Sequence, residues 1–412
     1  MKLTTKMLAA TALVAASQVA ADGVELEVTH WWTSGGEAAA VSEFAKAFNE
    51  NTDHDWVDGA IAGSGGTARP IIISRILGGD PMGATQLNHG RQAEELIEAG
   101  LMLDLSDVAE AEGWRDIVTP VALLDSCTVD GKVYCVPVNI HSWQWIWLSH
   151  QAFADAGVDV PANWDEFVAA APALEAADKI PLAMGQQPWQ SAGAFSVMSI
   201  AIAGIDAWSA VTIDKNADVA AGPEYAAVFE AAANARSFAA ESNVQDWNQA
   251  TNLVITGQAG AQIMGDWAQG EFQLAGQVAG EDYTCLPGLG VNEIISTGGD
   301  AFYFPVNDDP AITAAQKELA SLLISPEVQV AFNLAKGSLP VRGDIDMTAA
   351  NDCMQKGLEI LAAGNVLPEG DQTLTPDTQG QIQDLMVEFW NDPEYSAADA
   401  QARYAEIISE AD

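Results

Sequence analysis

A chain of 412 residues, 49% of them hydrophobic and 18% charged, is long enough for two or three domains and excludes a disordered or collagen-like polymer. Its 16 lysines and arginines stand against 58 acids, a formal net charge of −42, and such a field repels phosphate backbones and anionic headgroups, so nucleic-acid binding is excluded. From the N-terminus, Lys2 and Lys6 precede an apolar run over 7–16 and then small residues up to Ala21. That order is the pattern of a secretory signal peptide over residues 1–21, too short to span a membrane and stay there. The mature chain is expected to start near Asp22, free in a bacterial periplasm. No later run reaches spanning length, and no cysteine stands at the processing site to take a lipid.

Residues 25–32 read as the first strand of the mature chain. Ser34 and Glu37 then have capping-box spacing and open a helix with Val41, Phe44 and Phe48 on one face. Gly63-Ser-Gly-Gly66 lacks the Lys-Ser/Thr of a phosphate-cradling loop and is read as a turn. Further strands are expected near 56–62, 133–138, 142–147, 261–264 and 301–305, and helices near 165–176, 223–242, 247–256, 312–324, 326–335 and 375–389. Short apolar runs recurring between helical patterns imply α/β layers. There is no repeat of solenoid period and no low-complexity linker, so two lobes sharing several chain crossings are expected rather than beads on a string. One lobe takes 22–140 with about 296–336, the other 141–295 with about 337–412.

Four cysteines, Cys127, Cys135, Cys285 and Cys353, are an even number in an exported chain and are expected to pair. Asp130-Gly131, midway between Cys127 and Cys135, is a two-residue hairpin turn that sets those two opposite each other, and Cys285 with Cys353 follows by elimination. No CxxC occurs, and His30, His54, His89, His141 and His150 show no ligand spacing, so neither a metal nor a cofactor is expected.

Tryptophan is the compositional outlier, 13 against 12 phenylalanines and 6 tyrosines. An indole offers a broad flat face and an N–H, which suits stacking on the C–H face of a sugar ring. Trp31 and Trp32 end the first strand just before a glycine turn and Glu37, and ligands of α/β proteins lie at the carboxyl ends of strands. Trp247 and Trp267 stand among amides and acids, in Gln245-Asp-Trp-Asn-Gln249 and Met264-Gly-Asp-Trp267. Trp143, Trp145 and Trp147 alternate along one strand face and are read as core. A hydroxyl-covered ligand also needs acceptors and a few cationic donors around the stacked face, and Glu37, Gln86, Asn88, Asp300 and Lys336 sit at expected strand ends or loops. Each has a structural alternative: Glu37 completes a cap, Asp300 starts a strand, and Lys336 suits a helix C-terminus.

Several segments in order carry a family resemblance: Trp31-Trp32-Thr-Ser-Gly-Gly-Glu37, Gly78-Gly-Asp-Pro81 with Gln86-Leu-Asn88, Val136-Pro-Val-Asn-Ile-His141, Asn163-Trp-Asp-Glu-Phe167, Trp247-Asn-Gln249, Met264-Gly-Asp-Trp267, Asp300 before Phe302, and Phe332-Asn333 leading to Lys336-Gly-Ser338. Over essentially all of the mature chain they resemble the family 1 solute-binding proteins of bacterial ABC transporters, of the glucose/mannose type. Asn163-Trp-Asp-Glu-Phe167 itself reads as a helix start with Asn163 as cap.

The resemblance implies a two-lobed periplasmic-binding-protein clam with a hinge and a central ligand cleft. It would close on one monosaccharide and deliver it, as a monomer, to ABC permease subunits in the inner membrane. The resemblance further implies that Trp31, Trp32, Glu37, Gln86, Asn88, Trp247, Trp267, Asp300 and Lys336 line the cleft. Some relatives carry histidine at the position of Asn88, for which His89 could substitute after a small loop shift. Their further cleft histidine has no counterpart here, since no histidine follows His150, and the nearest position is about Asp371. A larger sugar or glycoside is therefore the alternative ligand. The rival from another class is a periplasmic glycoside hydrolase using Glu37 and Asp300 as its carboxylate pair. Against it stand the resemblance to binders and the absence of GxSxG or HExxH.

Overall fold

The first strand, Glu25–His30, stops two residues short of the expected end because the Trp31 N–H is taken by the side-chain Oε1 of Gln86, 3.0 Å away. The helix that follows, Gly35–Asn51, starts where its sequence dictates, with the Ser34 side chain accepting from the Glu37 N–H. It buries Val41, Phe44 and Phe48, and Phe44 stacks on Phe332 of the helix Pro326–Lys336 with ring centroids 4.0 Å apart. These coordinates are a computed structural model that describes residues 23–411, so the expected signal peptide lies outside the described residues.

Two sheets organise the molecule. The first has the order Asp55–Ala60, Glu25–His30, Ala84–Asn88, Asp300–Tyr303, Cys135–Pro137. Its first three strands are parallel, whereas Asp300–Tyr303 enters antiparallel between its two neighbours, in a register that puts Asp300 opposite Asn88. The second sheet has the order Tyr283–Pro287, Trp145–Ser149, Ala259–Ile263, Ile180–Ala183. A separate apolar cluster including Phe167, Phe195, Phe229, Phe389 and Tyr404 joins this sheet to helices such as Pro223–Phe238, Pro376–Asn391 and Ala397–Ser409. The expected two-lobed α/β arrangement is what the chain forms.

The lobes meet closely at one crossing. A Cβ on Gly36 would lie 2.7 Å from the Gly270 carbonyl carbon, and Glu271 Oε1 accepts the Gly36 N–H at 2.8 Å. Only a residue without a side chain allows that approach, and it brings Glu37 beside the segment that carries Trp267.

Several elements go beyond the expected ones, among them the strands Ile180–Ala183 and Tyr283–Pro287 and the helix Ala397–Ser409, and two more bear on the cavity. The helix Ser64–Leu77 begins where a turn was expected, at Ser64-Gly-Gly, and buries only the narrow stripe Ala68, Ile72 and Ile76. Its glycine start and Pro70 hide the helical period. The strand Ala84–Asn88 is buried through Leu87, yet its short sequence has no β-branched run to announce it.

Both disulfides have the expected partners, Cys127 with Cys135 and Cys285 with Cys353, at Cα–Cα distances of 5.1 and 6.0 Å. Between the first pair, Thr128–Val129 and Lys132–Val133 form the hairpin, and Asp130 and Gly131 both have positive φ, 51° and 77°. Replacing Cys127 and Cys135 by alanine is expected to lower stability by about 2.5 kcal/mol, the loop-closure contribution of their separation. The shift of the urea midpoint at unchanged m-value measures it.

Candidate functional site

A cavity of about 250 Å³ lies between the two sheets, walled by residues from the ends of strands in both. Its floor is Asp300, 1% exposed. Oδ1 of Asp300 accepts from Gln86 Nε2 at 2.7 Å, Oδ2 accepts from Asn139 Nδ2 at 3.0 Å and pairs with His141 Nδ1 at 2.9 Å, and the Asp300 N–H donates to Asn139 Oδ1 at 2.8 Å. Burial alone would push this carboxyl up, but the charge and hydrogen bond of His141, with help from Lys336 and Asn139, hold it well below the usual carboxylate range. In return, burial draws His141 down, and the charge and hydrogen bond of Asp300, with the charge of Asp266, outweigh it and raise the imidazole above its ordinary value. Each partner of the pair thus favours the charged form of the other. Asp266, which accepts the Ser142 N–H at 2.9 Å, is pushed up to about 7 by burial.

A second buried pair closes one side. Lys336 Nζ donates to Glu37 Oε1 at 2.7 Å, and Glu37 Oε2 accepts from Ser34 Oγ at 3.3 Å. The structural alternatives for both residues hold locally: Glu37 is in the first turn of its helix, and Lys336 ends its own, followed by Gly337 at φ 83°. The two side chains nevertheless meet in the cavity wall, and Lys336 Nζ lies 5.6 Å from the ring centroid of Trp32.

Another part of the wall is aromatic, and it adjoins the first pair through His141, 5.1 Å from the Trp267 ring. Trp143 meets Trp267 edge to face at 4.9 Å and 86°, and meets Trp189 at 5.4 Å. A Cβ on Gly265 would lie 2.0 Å from the Trp267 ring, and one on Gly193 would lie 2.3 Å from the Trp143 ring, so each indole rests against a bare glycine backbone. Trp247 opens the helix Trp247–Ile255 behind a capping box of Asp246 and Gln249.

Trp31, Trp32, Glu37, Asn88, Trp247, Trp267, Asp300 and Lys336 all border this one cavity, as does Asp371. Trp32 does so mainly as a core residue, 1% exposed and packed on Phe44, Phe302 and Phe332. Gln86 is the exception among the expected lining residues. It lies behind the floor, fully buried, and links the Trp31 N–H to Asp300, because the strand register turns it into the sheet rather than the cavity.

His89 is likewise no substitute for a cleft histidine. It is buried against Ser126 Oγ, 2.8 Å from its Nδ1, and burial takes its pKa down to about 4. Asn88 faces the cavity instead, its amide donating to Asp371, which also accepts from Gln92 at 3.2 Å.

Trp143 departs from its core reading: the strand starts only at Trp145, so Trp143 leaves the ladder and enters the wall, while Trp145 and Trp147 stay buried and stacked at 6.0 Å. Sequence reasoning also missed His141, Trp189 and Arg69 as lining residues. His141 and Trp143 flank Ser142 just past a strand end, a position that signals a site once the strand boundary is known. Among the described residues no group of three or more His, Cys, Asp or Glu could hold a metal. The arrangement offers flat apolar faces beside fixed, paired donors and acceptors, which is recognition chemistry for a ring bearing hydroxyls.

The sequence profile described as bacterial extracellular solute-binding protein matches residues 32–330. A probable sugar-binding periplasmic protein of Brucella melitensis is 36% identical over 371 residues, covering 89% of this chain and 87% of that protein. A chitin oligosaccharide binding protein has the same fold, with a TM-score of 0.76 at 20% identity over 95% of this chain and 99% of its own. So does a bacterial solute receptor described as preferring β-D-galactopyranose exclusively, with a TM-score of 0.77 at 18% identity over 94% of this chain and 98% of its own. A profile that spans both lobes, joined to a relative this similar along almost the whole length, means that the chain belongs to the bacterial extracellular solute-binding protein family.

Proposed function

We propose that this protein captures a sugar in the cavity between its lobes, in the periplasm, and hands it as a monomer to the permease subunits of an ABC importer. The observation that carries the reading is an indole cluster, Trp143, Trp189 and Trp267, lining one cavity together with two buried ion pairs, Asp300–His141 and Glu37–Lys336, with His141 edge-on to Trp267 at 5.1 Å. Indoles supply the face for ring C–H groups, and the ion pairs supply acceptors and donors for hydroxyls at fixed positions. The lobes, divided as 22–140 with about 296–336 and 141–295 with about 337–412, would close because ligand contacts to both favour the closed state.

A solute-binding family is not a hydrolase family, and the chemistry agrees. Glu37 is tied to Lys336 and Asp300 is engaged by three side-chain donors, so neither is a free acid that could protonate a glycosidic oxygen.

The finer reading is one ring of the glucose or mannose type at the charged end. A second reading, a larger sugar or a glycoside, is favoured by the continuation of the cavity along Phe195, Trp208, Leu374, Ile382 and Tyr404. Thermal-shift screening after unfolding and refolding tests both, since a ligand at about a hundredfold excess over its Kd adds about 2.7 kcal/mol of stability. The variant Trp267→Ala is expected to weaken binding of the hit at least about tenfold in calorimetric titration, with the circular dichroism of the parent. Unchanged affinity in a folded variant would remove Trp267 from the site.

A further inference from the structure

The first turn of the helix Ser64–Leu77 forms part of the same cavity wall and, with Arg69, carries positive charge that no acid of the wall pairs with directly. Ser64, Gly65 and Gly66 border the cavity, and no side chain caps this helix, whose N-cap is Gly63. The positive end of a 14-residue helix therefore faces the cavity without a compensating acceptor from its own sequence.

Onto that end folds a cation, Arg69. A Cβ on Gly65 would lie 2.9 Å from Arg69 Nη1 and 3.3 Å from the Trp31 ring, so a bare backbone gives the guanidinium its berth. Its Cζ is 5.8 Å from the Trp31 ring centroid. The residue as a whole is half-buried, and the guanidinium lies deep enough for desolvation to draw its pKa below the ordinary arginine value.

Among the described residues Arg69 has no ion pair and no hydrogen-bond acceptor. Each of the other six arginines has one: Arg75 with Glu27, Arg91 with Glu94, Arg115 with Asp125, Arg342 with Asp344, Arg403 with Glu406, and Arg236 on the carbonyls of Phe389 and Asp392. In a chain with 58 acids, an arginine left unmatched is a choice that the local structure enforces. Asp371 acts on it only at longer range, its oxygens accepting from Asn88 and Gln92. Glu369, also on the wall, is pushed up to about 7 by burial and so carries only part of a charge at neutral pH. The two ion pairs of the site neutralise themselves.

A buried guanidinium beside a helix N-terminus is unfavourable in isolation, because both are positive. The same pair is a recognition device once an anion sits between them, since the fork of the guanidinium and the first-turn N–H groups both match an oxyanion. We infer that the sugar taken by this site carries an anionic substituent, held by Arg69 and the Ser64–Gly66 turn. The inference rests on the sugar reading above and names the class of sugar: an acid, a sulfate or a phosphate ester.

Calorimetric titration of the refolded mature protein against matched pairs tests it: glucose with glucuronic acid, galactose with galacturonic acid, and glucose with its 6-sulfate and 6-phosphate. An anionic member is expected to bind at least about tenfold more tightly than its neutral parent, the gain of a hydrogen bond to a charged group. The arms of the comparison identify the group. Arg69→Met is expected to collapse that ratio toward one, and Arg69→Lys, which keeps the charge without the fork, to leave an intermediate ratio. Raising the salt should narrow the ratio in the parent and leave it unmoved in Arg69→Met. If every neutral sugar binds as tightly as its anionic counterparts, the inference falls and the sugar reading stands. If no sugar of either kind binds, both fall.

Discussion

Replacing Asp300 by alanine is expected to be the most damaging single change in the cleft, weakening ligand binding by about a hundredfold and stability by about 3–5 kcal/mol. The carboxylate holds three side-chain donors, from Gln86, Asn139 and His141, at 2.7 to 3.0 Å. Its removal takes away the charge that raises His141 against burial, and leaves the imidazole and two buried amides each short of a partner. It also frees Gln86, which holds the Trp31 N–H, so the effect reaches the first tryptophan of the site.

Asp300→Asn preserves the shape and one acceptor and is expected to cost about half as much. A pH series separates charge from shape. Because the folded state holds Asp300 below its unfolded pKa of about 3.9, its contribution is complete above that value and is lost as the pH falls toward the folded one. The raised imidazole of His141 works in the other sense, stabilising below about 6.5 and fading as the pH rises through its folded value. Urea unfolding across pH should therefore show an acid limb in the parent that flattens in Asp300→Asn. An identical limb in both would mean that the pair does not carry the charge assigned to it.

The second large effect is expected at Lys336. Its side chain is 2% exposed and donates to Glu37, so Lys336→Met strands a buried carboxylate and should cost about 3–5 kcal/mol. Changing both residues, Lys336→Met with Glu37→Gln, removes the stranded charge and should recover most of that loss. The double-mutant cycle is read from urea midpoints. Additive losses would show that the two side chains do not act as a pair. The cycle should not be closed perfectly, because Lys336 also helps to hold Asp300 ionised.

Much of this architecture was legible in the sequence. Ser34 and Glu37 mark a helix start, Asp130-Gly131 marks a hairpin, and the residues resembling a known family point to one cleft. What local pattern could not give is contact across the chain. Gln86 and Asp300 are 214 positions apart, and only the strand register decides that Gln86 supports the floor rather than joining it. Trp143, Trp145 and Trp147 share a period, yet the strand begins after the first of them, and a difference of two residues in that boundary moves an indole from core to wall. Arg69 stood in a stretch whose glycines read as a turn. Its meaning depends on partners it does not have, which no pattern of neighbours in sequence reveals.

The strand Asp300–Tyr303 sits between Ala84–Asn88 and Cys135–Pro137, fourth of the five strands of the first sheet. Until residue 303 has been made, that sheet has a gap where an interior strand belongs and two open edges beside it. The sheet that begins with Glu25–His30 is thus unable to form in the order of its synthesis, and its closing contacts are among the most distant along the chain. The consequence is an enforced delay: the part that is made first stays unfolded until the part that completes it arrives.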